Sequence, residues 1–140
     1  MSSTLTIALA QCNPTVGDLD GNLALIRQLH ADAWSAGADL VVFPELALTG
    51  YPLEDLVLKP ALLERAAALI DALAADTAAP ATAILLGAPW AEAGKRPYNG
   101  VFLLADGVVK GRRAKHELPN YGVFDEKRVF AAGPIPGPMR

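Results

Sequence analysis

The sequence predicts an α/β domain in which a parallel sheet continues into an antiparallel hairpin. Apolar runs typical of strands alternate with helical periodicity in the order β-α-β-α-β-β-β, and hydrophobic residues make up 52% of the chain. Alternating strands and helices are typical of parallel sheets, and a high apolar content suits strands that are covered on both faces. Asp106-Gly107 lies between two apolar runs. It predicts a tight hairpin, because both residues tolerate positive φ.

The first strand and the first helix follow from alternation and from capping signals. Residues 4–11 (TLTIALAQ) alternate in hydrophobicity, which predicts a strand. The residues that share one face of this strand are Ile7, Leu9 and Gln11. Asp20 is the candidate N-cap of a helix that runs to about Ser35. Gly37 stands where a glycine commonly follows a helix.

The rest of the chain supplies one more helix and four more strands. The second strand is predicted at 39–43, and a helix at about 60–75 has an apolar stripe with helical spacing. A third strand is predicted at 82–89. The hairpin around Asp106-Gly107 joins strands at 100–105 and 108–112.

Charge and composition exclude several classes of function. The net charge of −3 provides no electrostatic surface for nucleic acid or an anionic membrane. The uncharged run at 77–91 is 15 residues long and too short to span a bilayer. A single cysteine, Cys12, excludes a disulfide within the chain and fits a reducing compartment. We therefore expect a cytoplasmic protein that binds neither nucleic acid nor membrane.

Glu45 is the first candidate for chemistry, because it follows the second strand at once (VVFPELALTGYP, 41–52). Open α/β sheets place their sites at the carboxyl ends of strands. The turn that follows could bring Tyr51 back towards the same carboxylate. The alternative is that Glu45 is an ordinary solvated turn residue.

Lys115 is the second candidate, at the end of the last predicted strand. The loop after it, HELPNYGVFDE, combines aromatic and acidic residues, a composition that suits a pocket. The alternative is that Lys115 belongs to an exposed, charged strand face. Cys12 is interpreted as a small packing residue. His30 and His116 lack partners at ligand spacing, so no metal site is predicted.

Three motifs carry a resemblance to a known family. FPELALTGYP (43–52), KHELPNYGVFDEKRVF (115–130) and IALAQCNPTVGDLDGN (7–22) resemble the nitrilase superfamily, in particular the glutaminase domain of glutamine-dependent NAD⁺ synthetases. The resemblance implies an α-β-β-α sandwich, of which residues 1–140 would form the N-terminal part. It also implies that the synthetase domain of such enzymes is absent from this chain.

The resemblance implies a Glu-Lys-Cys mechanism and assigns roles to individual residues. Glu45 matches the general base, and Lys115 matches the lysine that stabilises the tetrahedral intermediate. The residues matching the glutamine pocket are Tyr51, Tyr121, Phe124 and Glu126. The family nucleophile would lie beyond residue 140, and Cys12 does not match it. We therefore expect the 140-residue chain alone to be inactive.

The implied function is hydrolysis of L-glutamine, with the ammonia passing to the ATP-dependent amidation of deamido-NAD⁺. ATP and Mg²⁺ would belong to the synthetase domain, so no cofactor is expected in this chain, and the intact enzyme would be a homo-oligomer. Two alternatives stay open. Another nitrilase-superfamily amidase or carbamoylase would share Glu45 and Lys115 but would not need the Tyr121 loop. A non-catalytic interaction module would need no nucleophile at all.

Overall fold

The computed structural model describes residues 4–79 and 81–138 and contains a mixed five-stranded sheet. The strands are β1 (Ile7–Leu9), β2 (Leu40–Val42), β3 (Ala83–Trp90), β4 (Tyr98–Ala105) and β5 (Val108–Ala114). The helices are α1 (Leu19–Ser35), α2 (Pro60–Asp76) and α3 (Glu126–Val129), and a 3₁₀ helix covers Glu54–Leu58. The order of the strands in the sheet is their order in the chain, with β1, β2 and β3 parallel and β4 and β5 antiparallel. The predicted α/β class with an attached hairpin is confirmed.

The start of α1 differs from the prediction. Asp18, rather than Asp20, is the N-cap, because its carboxylate accepts a hydrogen bond from the backbone N–H of Gly21 at 3.0 Å. Asp20 lies in the first turn and contacts Arg65 of α2 at 2.6 Å. The predicted glycine after the helix is confirmed, since Gly37 has a φ of 76°.

Both long helices pack on one face of the sheet, and the other face has no helix against it in the described residues. The main core joins α1 and α2 to the inward side chains of β2, β3 and β4. On β1 only Ala8 faces this core. Ile7 and Leu9 point to the opposite face, where they are 49% and 74% exposed. The strand was predicted over 4–11 and is shorter, but its alternation is confirmed.

A second, smaller hydrophobic cluster lies under the loops at one edge of the sheet. It consists of Leu46, Leu53, Val57, Leu118, Val129 and Phe130. The sequence did not predict this cluster, nor the two short helices 54–58 and 126–129 that contribute to it. Among the described residues, no helix has the length and apolar content needed to cross a membrane.

Candidate active site

The loop after β2 holds Glu45 against the sheet. Phe43 continues the ladder of β2, its N–H donating to the carbonyl of Leu85 at 2.9 Å. The chain then crosses directly over Gly87 of β3, where a Cβ would lie 2.3 Å from the carbonyl oxygen of Pro44. Leu46 follows with a φ of 50° and a fully buried side chain in the second cluster. A close backbone approach and a buried anchor therefore fix the position of Glu45.

Lys115 reaches Glu45 from the end of β5. Its backbone N–H donates to the carbonyl of Asn99 at 2.7 Å, which extends the pairing of β4 and β5 by one residue. Its ammonium donates to Oε1 of Glu45 at 2.7 Å and to Oε1 of Glu126 at 3.2 Å. The two candidates from the sequence thus meet in space, although 70 positions separate them.

Glu126 and Tyr51 complete the polar group. Glu126 opens α3 and is 5% exposed, and the Tyr51 hydroxyl donates to its Oε1 at 3.1 Å. Burial, together with the negative charge of Glu126, raises the pKa of Tyr51, so the phenol stays a hydrogen-bond donor at neutral pH. A buried carboxylate needs such donors. Tyr51 and Lys115 supply them from two different loops.

The side chain of Lys115 stays positively charged at neutral pH. Burial disfavours the charged form, but hydrogen bonds to Glu45 and Glu126 outweigh burial, so the pKa of Lys115 lies above its ordinary value. The group therefore keeps its proton at neutral pH, which suits an electrostatic stabiliser better than a base. Its location beside an exposed carboxylate suits an oxyanion that develops nearby.

Glu45 and Lys115 line an open cavity of about 290 Å³. Its other lining residues are Phe43, Pro44, Gly87, Asn99, Gly100, Val101, Arg113 and Ala114. Cys12 does not line this cavity; it is partly buried against the main core. Burial raises the pKa of the Cys12 thiol, which disfavours the thiolate that a nucleophile needs. A larger cleft of about 1030 Å³ lies beside α2 and Trp90 and includes neither Glu45 nor Lys115.

The two remaining predicted pocket residues lie on the loop between β5 and α3. Tyr121 is 72% exposed, and its ring meets that of Phe124 edge-on with 5.5 Å between centroids. Within residues 4–79 and 81–138, no hydrogen bond involves the Tyr121 hydroxyl. The role of Tyr121 and Phe124 in binding a substrate stays a prediction.

Sequence reasoning missed Asn99. This residue is 2% exposed and donates from Nδ2 to Oε1 of Glu45 at 2.5 Å. The fourth strand was predicted to begin at Gly100, which left Asn99 outside the strand. A signal was available, because an asparagine one residue before a buried strand needs hydrogen-bond partners of its own.

The sequence profile of the carbon-nitrogen hydrolase family matches residues 6–137. The chain belongs to this family. The predicted family resemblance is thereby confirmed.

Individual relatives indicate which enzymes of the family this chain is similar to. The glutamine-dependent NAD⁺ synthetase of Rhodobacter capsulatus is 45% identical over 141 aligned residues, which cover 100% of this chain and 25% of that protein. The structure of the glutamine-dependent NAD⁺ synthetase from Acinetobacter baumannii, in complex with ADP, is 37% identical with a TM-score of 0.87 over 94% of this chain and 24% of that one. The chain thus spans about a quarter of the length of the curated relatives it matches.

A shorter enzyme has a similar structure. An amidase from Nesterenkonia sp. is 28% identical with a TM-score of 0.80, over 96% of this chain and 50% of the amidase. One structure of that amidase shows acrylamide added to its active-site cysteine. The nitrilase-like fold of this chain is therefore shared with both kinds of enzyme.

Proposed function

We propose that this chain forms the N-terminal part of the glutaminase domain of a glutamine-hydrolysing NAD⁺ synthetase. The observation that carries the proposal is the Lys115 ammonium held between Glu45 and Glu126 beside an open cavity. Relatives named as glutamine-dependent NAD⁺ synthetases support the choice of substrate, at 45% and 40% identity. The released ammonia would pass to the ATP-dependent amidation of deamido-NAD⁺.

Glu45 would act as general base and then as general acid. A thiol that attacks the amide of glutamine must lose its proton, and the departing ammonia must gain one. A single carboxylate beside the reacting groups can perform both transfers. The side chain of Glu45 is 43% exposed at the cavity, so a substrate can reach it. The thiol itself would come from a residue beyond position 140, because Cys12 does not line the cavity of Glu45 and Lys115 and burial raises the pKa of its thiol.

Lys115 and Glu126 would stabilise and orient the substrate. The fixed ammonium of Lys115 would stabilise the oxyanion of the tetrahedral intermediate. Oε2 of Glu126 is buried and lies 3.1 Å from Nζ of Lys115, so Glu126 would orient the ammonium that faces the substrate. Tyr51 keeps Glu126 in place, and the Tyr121–Phe124 pair would cover the bound side chain.

The cofactors and partners of the whole enzyme are part of the same proposal. ATP and Mg²⁺ would bind in a separate synthetase domain, and the enzyme would be a cytoplasmic homo-oligomer. Within the described part of the chain, no three metal-ligating side chains form a group. In the proposed mechanism, Lys115 supplies the positive charge that stabilises the oxyanion.

The test uses the full-length protein that contains this chain. Glu45→Gln should lower glutamine-dependent NAD⁺ synthesis at least ~10²-fold, because the base is lost, while synthesis from free ammonia continues. Glu117→Gln is the matched control, since the Glu117 side chain is 96% exposed, and it should behave like the wild type. If ammonia fails to rescue Glu45→Gln, the defect is structural and the assignment is wrong.

The second candidate is an amidase that acts on small amides, which the structural similarity to the Nesterenkonia enzyme favours. Assays on the same full-length protein distinguish the amidase from the NAD⁺ synthetase. Rapid hydrolysis of small amides without any NAD⁺ synthesis would support the amidase. The 140-residue chain alone should release no ammonia from glutamine. Ammonia release that Cys12→Ala abolishes would contradict both the proposal and the role given to Cys12.

A further inference from the structure

Asn99 connects the two central residues of the site. Its side-chain Nδ2 donates to Oε1 of Glu45 at 2.5 Å, and its backbone carbonyl accepts the N–H of Lys115 at 2.7 Å. Asn99 is 2% exposed and is paired with Pro89 across β3 and β4, so the sheet fixes its backbone. One residue therefore contacts the carboxylate through its side chain and the lysine through its backbone.

The two donors converge on the same oxygen of Glu45. Nζ of Lys115 lies 2.7 Å from Oε1, and Nδ2 of Asn99 lies 2.5 Å from it. A carboxylate oxygen has two lone pairs in its plane, so both are engaged. Within the described ranges, 4–79 and 81–138, no hydrogen bond reaches Oε2. The carboxylate is thus held by one oxygen, and the other is left free.

We propose that Asn99 is a positioning residue, which together with Lys115 holds Oε1 so that Oε2 of Glu45 exchanges the proton with the thiol and the ammonia. This inference rests on the proposed glutaminase function. It goes beyond that function by assigning the two carboxylate oxygens different tasks and by adding a residue to the site. Free rotation of the carboxylate would exchange the two oxygens, and the amide prevents it.

An amide suits this position better than other side chains. It donates a hydrogen bond without adding a charge and does not titrate near neutral pH. The opposite orientation of the amide would place Oδ1 against Oε1, two acceptors in contact, so the donor orientation follows from the chemistry. An aspartate of the same shape would place a second carboxylate against Glu45.

The experiment measures glutamine hydrolysis by the full-length protein as a function of pH. In Asn99→Asp, the acid limb of the kcat/KM profile should move to higher pH, because the variant places a second carboxylate against the first and like charges oppose ionisation. In Asn99→Ala, kcat should fall by about 10- to 100-fold with little change in KM, because the substrate still binds but the base is misaligned. The backbone bond to Lys115 survives in both variants.

Asn22 provides a matched control. It is also 2% exposed, and its side chain bonds to the backbone of Thr15 and Leu48 at 2.8 and 3.1 Å. Asn22→Ala should lower the unfolding temperature and leave the acid limb unmoved. If Asn99→Asp leaves the acid limb in place, or if Asn22→Ala moves it equally, Asn99 has only a structural role. Ammonia-dependent synthesis verifies that each variant is folded.

An activity-independent measurement separates this proposal from the proposed function. The side-chain amide resonance of Asn99 should titrate with pH in the wild type and stop titrating in Glu45→Gln. If the wild type does not hydrolyse glutamine but this titration occurs, the glutaminase function is wrong and the coupling of Asn99 to Glu45 stands. If the Asn99 amide resonance shows no pH dependence that Glu45→Gln removes, the proposal is overturned, whether or not glutamine is hydrolysed.

Discussion

At the scale of single residues, Gly87 determines how closely the Glu45 loop can approach the sheet. A Cβ at this position would meet backbone atoms, the Pro44 carbonyl oxygen at 2.3 Å and the Leu46 nitrogen at 2.6 Å. Backbone cannot rotate away as a flexible side chain can. The position of Glu45 therefore depends on the absence of a side chain at Gly87.

We expect Gly87→Ala to displace the loop and to separate Glu45 from Lys115. In the full-length protein, glutamine hydrolysis should fall by about 100-fold, and the free energy of unfolding should drop by about 1–3 kcal/mol. Gly137→Ala is the control, since a Cβ there meets no atom within 4 Å. Wild-type activity in Gly87→Ala would show that the loop adapts.

The ion pairs of Lys115 should stabilise the fold in a pH-dependent way. Because its pKa is raised in the folded state, the stabilisation is fully present below the ordinary lysine pKa and is lost as pH rises through the folded value. Lys115→Met should lower the free energy of unfolding of the chain at neutral pH by at least about 1 kcal/mol, since Glu126 loses a donor. The difference from the wild type should shrink at alkaline pH.

Lys110→Met is the matched control for this experiment. Lys110 also lies on β5, but its pair with Asp106 is exposed at both ends, with side-chain exposures of 43% and 70%. Exposed pairs contribute little. Equal losses of stability in the two variants, measured by denaturant titration, would contradict the difference assigned to burial.

Individual residues of the site could be predicted when a motif carried them, and not when only tertiary contacts did. Glu45 and Lys115 stand in runs whose composition is unusual for turns, so the sequence indicated them. Asn99 lies near the start of β4, where the sequence signals only that its amide needs hydrogen-bond partners, and the fold alone shows that Glu45 is one of them. Asp18 and Asp20 both suit an N-cap, and the sequence could not decide between them, because the choice depends on local backbone geometry.

At the scale of elements, the second cluster connects the loops that carry the site. Leu46 follows Glu45, Leu118 lies three residues after Lys115, and Val129 lies one helical turn after Glu126. Outside this cluster, Arg128 forms ion pairs with Asp55 and Asp125, which join α3 to the 3₁₀ helix. Apolar packing that is separate from the main core therefore holds the segments that carry Glu45, Lys115 and Glu126.

We expect Leu118→Ala to impair catalysis beyond its effect on stability. It should cost about 2–5 kcal/mol of unfolding free energy, as other large-to-small core substitutions do. Leu73→Ala, in the fully buried part of the main core, is the control with a similar cost. Measured well below the unfolding temperatures, kcat per folded molecule should fall in Leu118→Ala and stay near wild type in Leu73→Ala. Equal values would mean that the cluster does not position the site.

The long elements followed from the sequence because their periodic patterns extend over many residues. Helix α2 was predicted at about 60–75 and spans Pro60–Asp76. Helix α3 has only four residues, which is too short for a 3.6-residue period to be recognised. Its hydrophobic partners come from distant loops. Local sequence therefore contains almost no information about it.

At the scale of the whole molecule, the open sheet face exposes a row of apolar side chains on β1 and beside it. Leu5, Ile7 and Leu9 are 64%, 49% and 74% exposed on the same side of β1. An apolar stripe of this kind usually marks an interface. The α-β-β-α sandwich that the resemblance implies contains a second sheet, which would cover such a face. The composition alone could not show which strands would carry it.

We expect the 140-residue chain to self-associate through this face, because association removes apolar surface from water. Sedimentation velocity should show concentration-dependent oligomers that Leu9→Lys disperses. Val123→Lys is the control, since Val123 is 94% exposed on the loop before α3, away from β1. Oligomers that persist in Leu9→Lys would place the interface elsewhere.

The arrangement of Lys115 between two carboxylates also affects how a reaction product would leave. Glu45 and Glu126 together carry one more negative charge than the ammonium neutralises. Glutamine has a neutral side-chain amide, whereas hydrolysis converts that amide into a third carboxylate at the same place. Like charges at close range repel strongly where water is partly excluded. If the proposed function holds, the site would bind the amide and repel the acid, so glutamate should bind more weakly than the glutamine from which it forms.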